Sequence, residues 1–447
     1  MRKLILKKLK LSYGFIIAIL CFFSIYPLTG FGKDNQTTQK LTLQECIELA
    51  LETHPEMNIA QAQLGEASEK YKEINANYFP KFSIGTSYSR LGDVPQSKVK
   101  YLGQSYNDYQ TSLYLKQLIY DGGKTGRLKE WARKSIAVET ENLHDTKLDL
   151  IYSVTKTYYN LIFADNMVEV KQEAVRQIEA HVSVANAMFT SGKAPKLDVL
   201  RAEVQLANVQ QELSKAQNAL QVASAQLNDI IGRKIDAQIA IDTQIEFKKS
   251  VASPKADLQS YINAAFESNP QWRRIKESIA ATEAKIKAEK SAYWPDISFK
   301  ADYGYEWGDW PPEENIWNLG MAISIPLWDG GITGARVNQA KATLERLEAT
   351  EKLLAKQIIL QVQKAYLSLR EAEGRVSTTE KSVEQAKESL RIAEGSYNLG
   401  TGISSDVIDV QVALTQSQTN YIQALIDVQL AKADLERAIG KNDEVKQ

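Results

Sequence analysis

Cysteine is nearly absent from this chain. The 447 residues hold two, Cys21 and Cys46. Cys21 falls in an N-terminal leader, so a mature chain keeps one thiol and an intramolecular disulfide is excluded. Cys46, in a helical pattern, reads as a small buried residue. Histidine is equally thin: His54, His144 and His181 lie far apart with no partner at metal-ligand spacing, and each reads as an exposed helical residue. No metal or cofactor is called for. No phosphate-binding glycine loop or nucleophile motif appears, so the expectation is a protein without enzymatic chemistry. An excess of positive charge is also missing. Without the leader's five basic residues, 49 Lys and Arg face 55 Asp and Glu, which offers no footprint for nucleic acid. Beyond the leader no apolar run approaches a spanning helix, so any membrane crossing has to be a β-barrel.

Residues 1–32 have the pattern of a cleaved export signal. Arg2, Lys3, Lys7, Lys8 and Lys10 precede an apolar stretch from Phe15 to Tyr26, and Gly30-Phe31-Gly32 ends on small residues. Leu20 is too bulky for a lipid-attachment box at Cys21.

The rest of the chain is written nearly twice. Asp121-Gly122-Gly123 returns as Asp329-Gly330-Gly331 and Gly232 as Gly440, both 208 positions later, while Tyr78-Phe79-Pro80 returns as Tyr293-Trp294-Pro295, 215 later. The seven-residue difference lies between the prolines and the Asp-Gly-Gly elbows. A unit this long is a duplicated half-structure rather than a solenoid repeat. The expected units are 41–232 and 256–440, joined by a linker at 233–255 and followed by a tail at 441–447.

Each unit reads as helix, β-hairpin, long helix, helix. Thr42 with Glu45 forms a capping box that opens a helix running to about Ala76. From Gly123 to Ser191 there is no proline, which predicts a helix of about 68 residues, roughly 100 Å long, and hence a coiled coil. Ile151, Val154, Tyr158 and Leu161 keep 3-4-3 spacing, echoed by Ile359, Val362, Tyr366 and Leu369. A further helix covers about Leu197 to Ile231. The second unit is expected to repeat this with Ala256–Ser291, Gly331–Tyr397 and Ser405–Ile439, Gly374 and Gly395 marking places where the long helix can bend or fray. The two shorter helices together match the long one, so they can stack end to end along it. In the linker, Ile235, Ala237, Ile239 and Ile241 alternate and suggest a short strand.

Between proline and elbow the period changes to two, over hairpins at about 81–120 and 296–327. Ile297, Phe299, Ala301, Tyr303, Tyr305 and Trp307 alternate with Asp296, Ser298, Lys300, Asp302, Gly304 and Glu306. Apolar positions on one face and charged or small ones on the other fit a membrane barrel wall. Tyr78, Phe79, Tyr120, Trp294 and Trp328 gather at the strand–helix junctions, as an interfacial girdle would. Four strands cannot close a barrel, and an open edge in lipid leaves backbone groups unpaired. Two chains would give eight strands with a filled interior, three would give twelve with a passable lumen. A pore favours three.

Leu41-Thr42-Leu43-Gln44-Glu45 with His54-Pro55, the echo at Asn269-Pro270, the two aromatic-proline motifs, the two elbows and the tips Gly192…Asp198 and Gly400-Thr401-Gly402…Asp409 together resemble the TolC family of outer-membrane efflux channels. The resemblance covers essentially the whole mature chain. It implies a mainly α fold with a transmembrane β part: a long α-helical coiled-coil barrel joined to four strands per chain, completed in a homotrimer as a 12-stranded β-barrel in outer-membrane lipid. It further implies a periplasmic adaptor and, through it, an inner-membrane pump of RND or ABC type. The implied role is efflux, with type I protein secretion as the alternative and a non-conducting coiled-coil scaffold or adaptor as a more distant one. It places Asp198, Tyr397, Asp406 and Asp409 near a periplasmic gate, and Gly192, Lys193, Gly400, Thr401 and Gly402 at tips that touch the adaptor. Gly402 departs from relatives that carry a basic residue there, so a latch would use Lys193 or Lys196. Asp198 and Asp406 also read as helix-start carboxylates that favour the dipole.

Overall fold

The computed structural model describes residues 40–91, 106–241, 257–307 and 314–441. The export signal and tail, most of the linker and the tips of both hairpins lie outside the described residues. The first unit contains α1 (Leu43–Thr53), α2 (Pro55–Asn75), β1 (Lys81–Leu91), β2 (Tyr106–Tyr120), α3 (Lys124–Thr190) and α4 (Lys196–Ile230). The second contains α5 (Leu258–Ser268), α6 (Pro270–Lys290), β3 (Asp296–Trp307), β4 (Glu314–Ser324), α7 (Ile332–Asn398) and α8 (Ser404–Ile439). No helix among the described residues is long and apolar enough to cross a membrane.

The capping box forms as the sequence suggests: the Glu45 N–H donates to Thr42 Oγ1 at 3.3 Å and the Thr42 N–H to Glu45 Oε2 at 2.8 Å. The expected single helix to Ala76, however, is two. Pro55 has no N–H to give and starts a new helix, with His54 Nδ1 accepting from the Glu56 N–H at 3.3 Å. The same break divides the expected Ala256–Ser291 helix, where Asn269 Oδ1 accepts from the N–H groups of Gln271 and Trp272 at 2.9 and 3.2 Å before Pro270. The expected long helix of the second unit forms as α7, 67 residues running through Gly374 and Gly395. In the linker the structure shows one isolated parallel bridge, Leu41 to Ile241, and no strand among the described residues.

These breaks sit where the stacked helices meet. Gly232, at φ +72°, turns the end of α4 against α1, where a Cβ would strike Thr53, and Thr53 Oγ1 donates to the Ile231 carbonyl at 3.1 Å. Gly440, at φ +82°, abuts Asn269, whose Nδ2 donates to the Ala438 carbonyl at 3.1 Å. The core lies at this waist. Val154, Leu161, Leu227 and Ile231 are buried in the first unit and their counterparts Val362, Leu369, Leu435 and Ile439 in the second.

The units join along α3, which packs on α2 and α4 of its own unit and on α6 and α8 of the other. Arg437 pairs with Asp149 and lies over the Tyr152 ring at 5.6 Å, Gln271 donates to Asp145 at 3.1 Å, and Lys134 meets Glu277 at 2.9 Å. By contrast α7 packs mainly within its own unit, on α5, α6 and α8, and meets α3 only near the tip, where Tyr397 lies against His181 among the described residues. Its other side carries Leu353, Leu360 and Leu367, seven residues apart and each more than half exposed. Their counterparts 208 positions earlier are Asp145, Tyr152 and Tyr159, and the first two of these meet α6 and α8.

Candidate functional site: a strand wall and two helical tips

The four strands form one antiparallel sheet in the order β1-β2-β3-β4, so the hairpins of the two units pair through β2 and β3. Register gathers the apolar residues on one face. Phe82, Leu115, Ala301 and Leu319 are aligned across all four strands, as are Ile84, Leu113, Tyr303 and Trp317. The other face carries Ser83, Tyr114, Asp302 and Asn318 in one row and Gly85, Ser112, Gly304 and Ile316 in the next. A Cβ on Gly304 would run into Ser112, so that row requires glycine. Phe82, Ile84, Trp317, Leu319 and Met321 are 65–75% exposed, a contiguous apolar surface larger than a monomeric soluble domain carries. The outer edges of β1 and β4 have no strand beside them among the described residues.

Topology brings the junction aromatics together. Phe79 precedes β1, Tyr120 ends β2, Trp294 precedes β3 and Trp328 follows β4, so they and Tyr78 collect at one end of the sheet with their rings exposed. The elbows beneath them are built alike: Gly122, Gly123, Gly330 and Gly331 have positive φ, and Asp121 and Asp329 each accept from the N–H four residues on, at 2.7 and 2.8 Å. A Cβ on Gly122 would lie 2.5 Å from Trp294 Cβ, which fixes the first elbow against the second unit.

At the far end α3 turns into α4 through Gly192 (φ +75°) and α7 into α8 through Gly400 (φ +77°). Gly192, Lys193, Gly400 and Thr401 are exposed there. Gly402 is crowded: a Cβ would sit 3.0 Å from Ser396 Cβ, a local reason for the missing basic side chain. Asp198 and Asp406 are the third residues of α4 and α8, in the first turns, and neither is the N-cap. Asp406 and Asp409 are exposed one turn apart on α8. Asp409 shares a groove of about 430 Å³ with Leu197, Leu200, Arg201 and Val204 of α4.

Tyr397 is placed differently from its three companions. It is 4% exposed, packed with Leu390, Val407 and Leu414 between the two tip hairpins. Beside it lies His181, which corrects the reading of that residue as an exposed helical histidine: it is 7% exposed. Its Nε2 is 2.9 Å from Ser404 Oγ, and its ring centroid is 5.1 Å from that of Tyr397. Burial lowers the His181 pKa from its ordinary value, opposed by the Asp198 carboxylate, and burial raises that of Tyr397, with Asp198 adding to the effect. One buried cluster thus ties α3 to α7 and α8. Sequence reasoning misses it because Ser404 lies 223 residues from His181. The only local hint is a histidine on the apolar side of a coiled-coil helix.

Comparison with known proteins agrees with this architecture. The family model for outer membrane efflux proteins matches residues 46–233 and 261–441, once per unit. The chain is 21% identical over 425 residues to the outer membrane efflux protein BepC of Brucella suis biovar 1 (strain 1330), covering 93% of this chain and 88% of the relative. It is 21% identical over 419 residues to the alkaline protease secretion protein AprF of Pseudomonas aeruginosa, covering 90% and 85%. Among solved structures, a crystal structure of CusC from a study of its folding and transmembrane channel formation superimposes with a TM-score of 0.79 at 17% identity, covering 93% of this chain and 96% of that one.

Proposed function

The chain belongs to the outer membrane efflux protein family, whose members are outer-membrane export channels, and on that premise we propose that three copies close a single 12-stranded barrel above a continuous helical tunnel. One observation carries this reading: a four-stranded sheet with an apolar outer face and, among the described residues, two unpaired edges, which cannot stand in lipid until another chain pairs with each edge. The helices favour the same partner. The seam that α3 makes with the second unit has no counterpart on α7, whose leucine stripe is left for the α2 and α4 of a neighbouring copy. Ile59, Val204 and Val222, each at least half exposed, offer apolar surface on those helices.

In this assembly the glycine turns at Gly192 and Gly400 face a periplasmic adaptor, with Lys193, Thr401 and Gly402 beside them. The adaptor connects the tunnel to an inner-membrane pump of RND or ABC type, which supplies the energy. Efflux of small molecules is the favoured cargo. The equal similarity to a relative named for alkaline protease secretion supports protein export as a second reading. Asp406 and Asp409 of three chains line the inner mouth and favour cations, in a salt-dependent way because the mouth is wet. The test is the double variant D406A/D409A in planar bilayers. Reduced cation selectivity with an unchanged oligomer supports the gate assignment. Wild-type selectivity would leave the two aspartates as surface charges.

A further inference from the structure

The inner face of the sheet carries a row that breaks a pairing rule. Lys81 of β1 is the direct cross-strand partner of Lys116 of β2, and Lys116 is the direct partner of Lys300 of β3. The fourth position of the row, on β4, is Gly320. Like charges placed directly opposite one another in a sheet repel, and sheets ordinarily avoid them. Here two such pairs adjoin, spanning about 10 Å at the usual strand spacing.

Among the described residues none of the three ammonium groups has a carboxylate in ion-pair distance. Lys81 Nζ instead donates to the amide oxygen of Asn77 at 2.9 Å. The one carboxylate in an adjoining row, Asp302, accepts from Asn318 Nδ2 at 2.9 Å and keeps its charge, so the row and its neighbour hold three ammonium groups against one carboxylate. On the other side the face continues with Leu118, Ser298 and Ala322. All three lysines are exposed, on the face of the sheet opposite the apolar one. In a closed barrel that face lines the lumen. Lys81 begins β1 directly after the junction aromatics, which sets the row near the tunnel-side rim.

We propose that Lys81, Lys116 and Lys300 form an anion-attracting band on the barrel's inner wall, one inclined segment per protomer, that favours anionic over cationic solutes at this level of the duct. The proposal rests on the trimeric barrel described above. Rings of Lys or Arg are a general physical means of selecting anions in pores. A field of this kind raises the local concentration of oppositely charged solutes and decays over the Debye length, about 10 Å at 0.1 M salt. The favoured cargo is an organic acid or other multiply anionic small molecule. The band and the acidic mouth then act in series with opposite preferences.

The test places a reporter in the row itself. Gly320→Cys, in a Cys46→Ala background, adds a side chain where no other atom lies within 4 Å of the new Cβ. Reconstituted protein is treated from the barrel side with an anionic and a cationic methanethiosulfonate of equal size. With the three lysines one, two and three strand spacings from residue 320, and Asp302 opposing them, the anionic reagent is expected to gain over the cationic one by about fivefold at 0.1 M salt. That advantage is expected to vanish in 1 M salt and in the K81Q/K116Q/K300Q variant. A rate ratio that stays the same in the lysine-free variant overturns the band while leaving the barrel intact. A cysteine that reacts only with lipid-soluble reagents overturns the barrel reading itself. If the triple variant does not assemble, K116Q alone is measured: about a twofold fall in the ratio supports the proposal, and no fall overturns it.

Discussion

Replacing His181 by alanine removes a side chain that joins the two tip hairpins through a buried hydrogen bond, beside the one from Gln411 to Gln177. Ser404 is fully buried, so its hydroxyl cannot turn to water for a new partner. Losing the bond costs about 1 kcal/mol, and leaving a buried hydroxyl unsatisfied adds about 1–3 kcal/mol. The space left beside Tyr397 adds a cavity cost of its own. In a gate that opens by separating the two tip hairpins, about 2 kcal/mol of this falling on the closed arrangement raises the ratio of open to closed tips about 30-fold. The same contact makes the tip acid-sensitive. Burial holds the folded pKa of His181 below the ordinary imidazole value of 6.5, with Asp198 on α4 opposing, Tyr397 on α7 tilted against the ring and Ser404 on α8 bonded to it. The neutral ring therefore contributes fully above pH 6.5, and its contribution is lost as pH falls through the lowered folded value. Separating the hairpins hydrates the ring and relieves the shift, so acid favours the open tip. Single-channel recording between about pH 7.5 and 5 is expected to show opening that increases as the wild type is acidified, frequent opening of His181→Ala at every pH, and loss of the acid response in His181→Gln. Equal opening of all three proteins would refute the reasoning.

Two other consequences are directly measurable. Single cysteines at positions 299, 303 and 321, on the apolar face, should label only from lipid, and those at 302 and 318 from water; the background thiol is silent because burial pushes the Cys46 pKa up to about 11. Asn269→Ala removes two accepted hydrogen bonds and the one given to Ala438, and is expected to lower stability by about 2–3 kcal/mol, whereas His54→Ala, losing one long bond, costs under about 1 kcal/mol; denaturant midpoints of the two variants check the difference.

Much of this architecture is legible in the sequence because its punctuation is local. Glycine pairs mark the elbows, single glycines mark the tips, and the absence of proline from Asp121 to Ser191 leaves a helix little choice. The breaks at Pro55 and Pro270 are harder to read. A helical spacing of buried residues, Cys46, Ile47 and Ala50 and then Met57 and Ala60, carries on across the first of them, and a proline in the first turn of a helix resembles one tolerated within it. Period-two alternation shows which residues share a face of one strand, but cross-strand register depends on hairpin geometry. Lys81, Lys116 and Lys300 therefore look unrelated until the sheet is formed. His181 presents the same difficulty over a longer distance. An imidazole's burial depends on what packs over it, and here that is the start of α8, contributed by the other unit.

In the proposed assembly the four-stranded sheet is one third of a barrel. The most direct measurement is the mass of the particle extracted from membranes in mild detergent, with its β-content followed by circular dichroism. Three copies per particle, dissociating on heating together with loss of the β signal, is the expected result. A monodisperse monomer or dimer that retains its full β-content would contradict it.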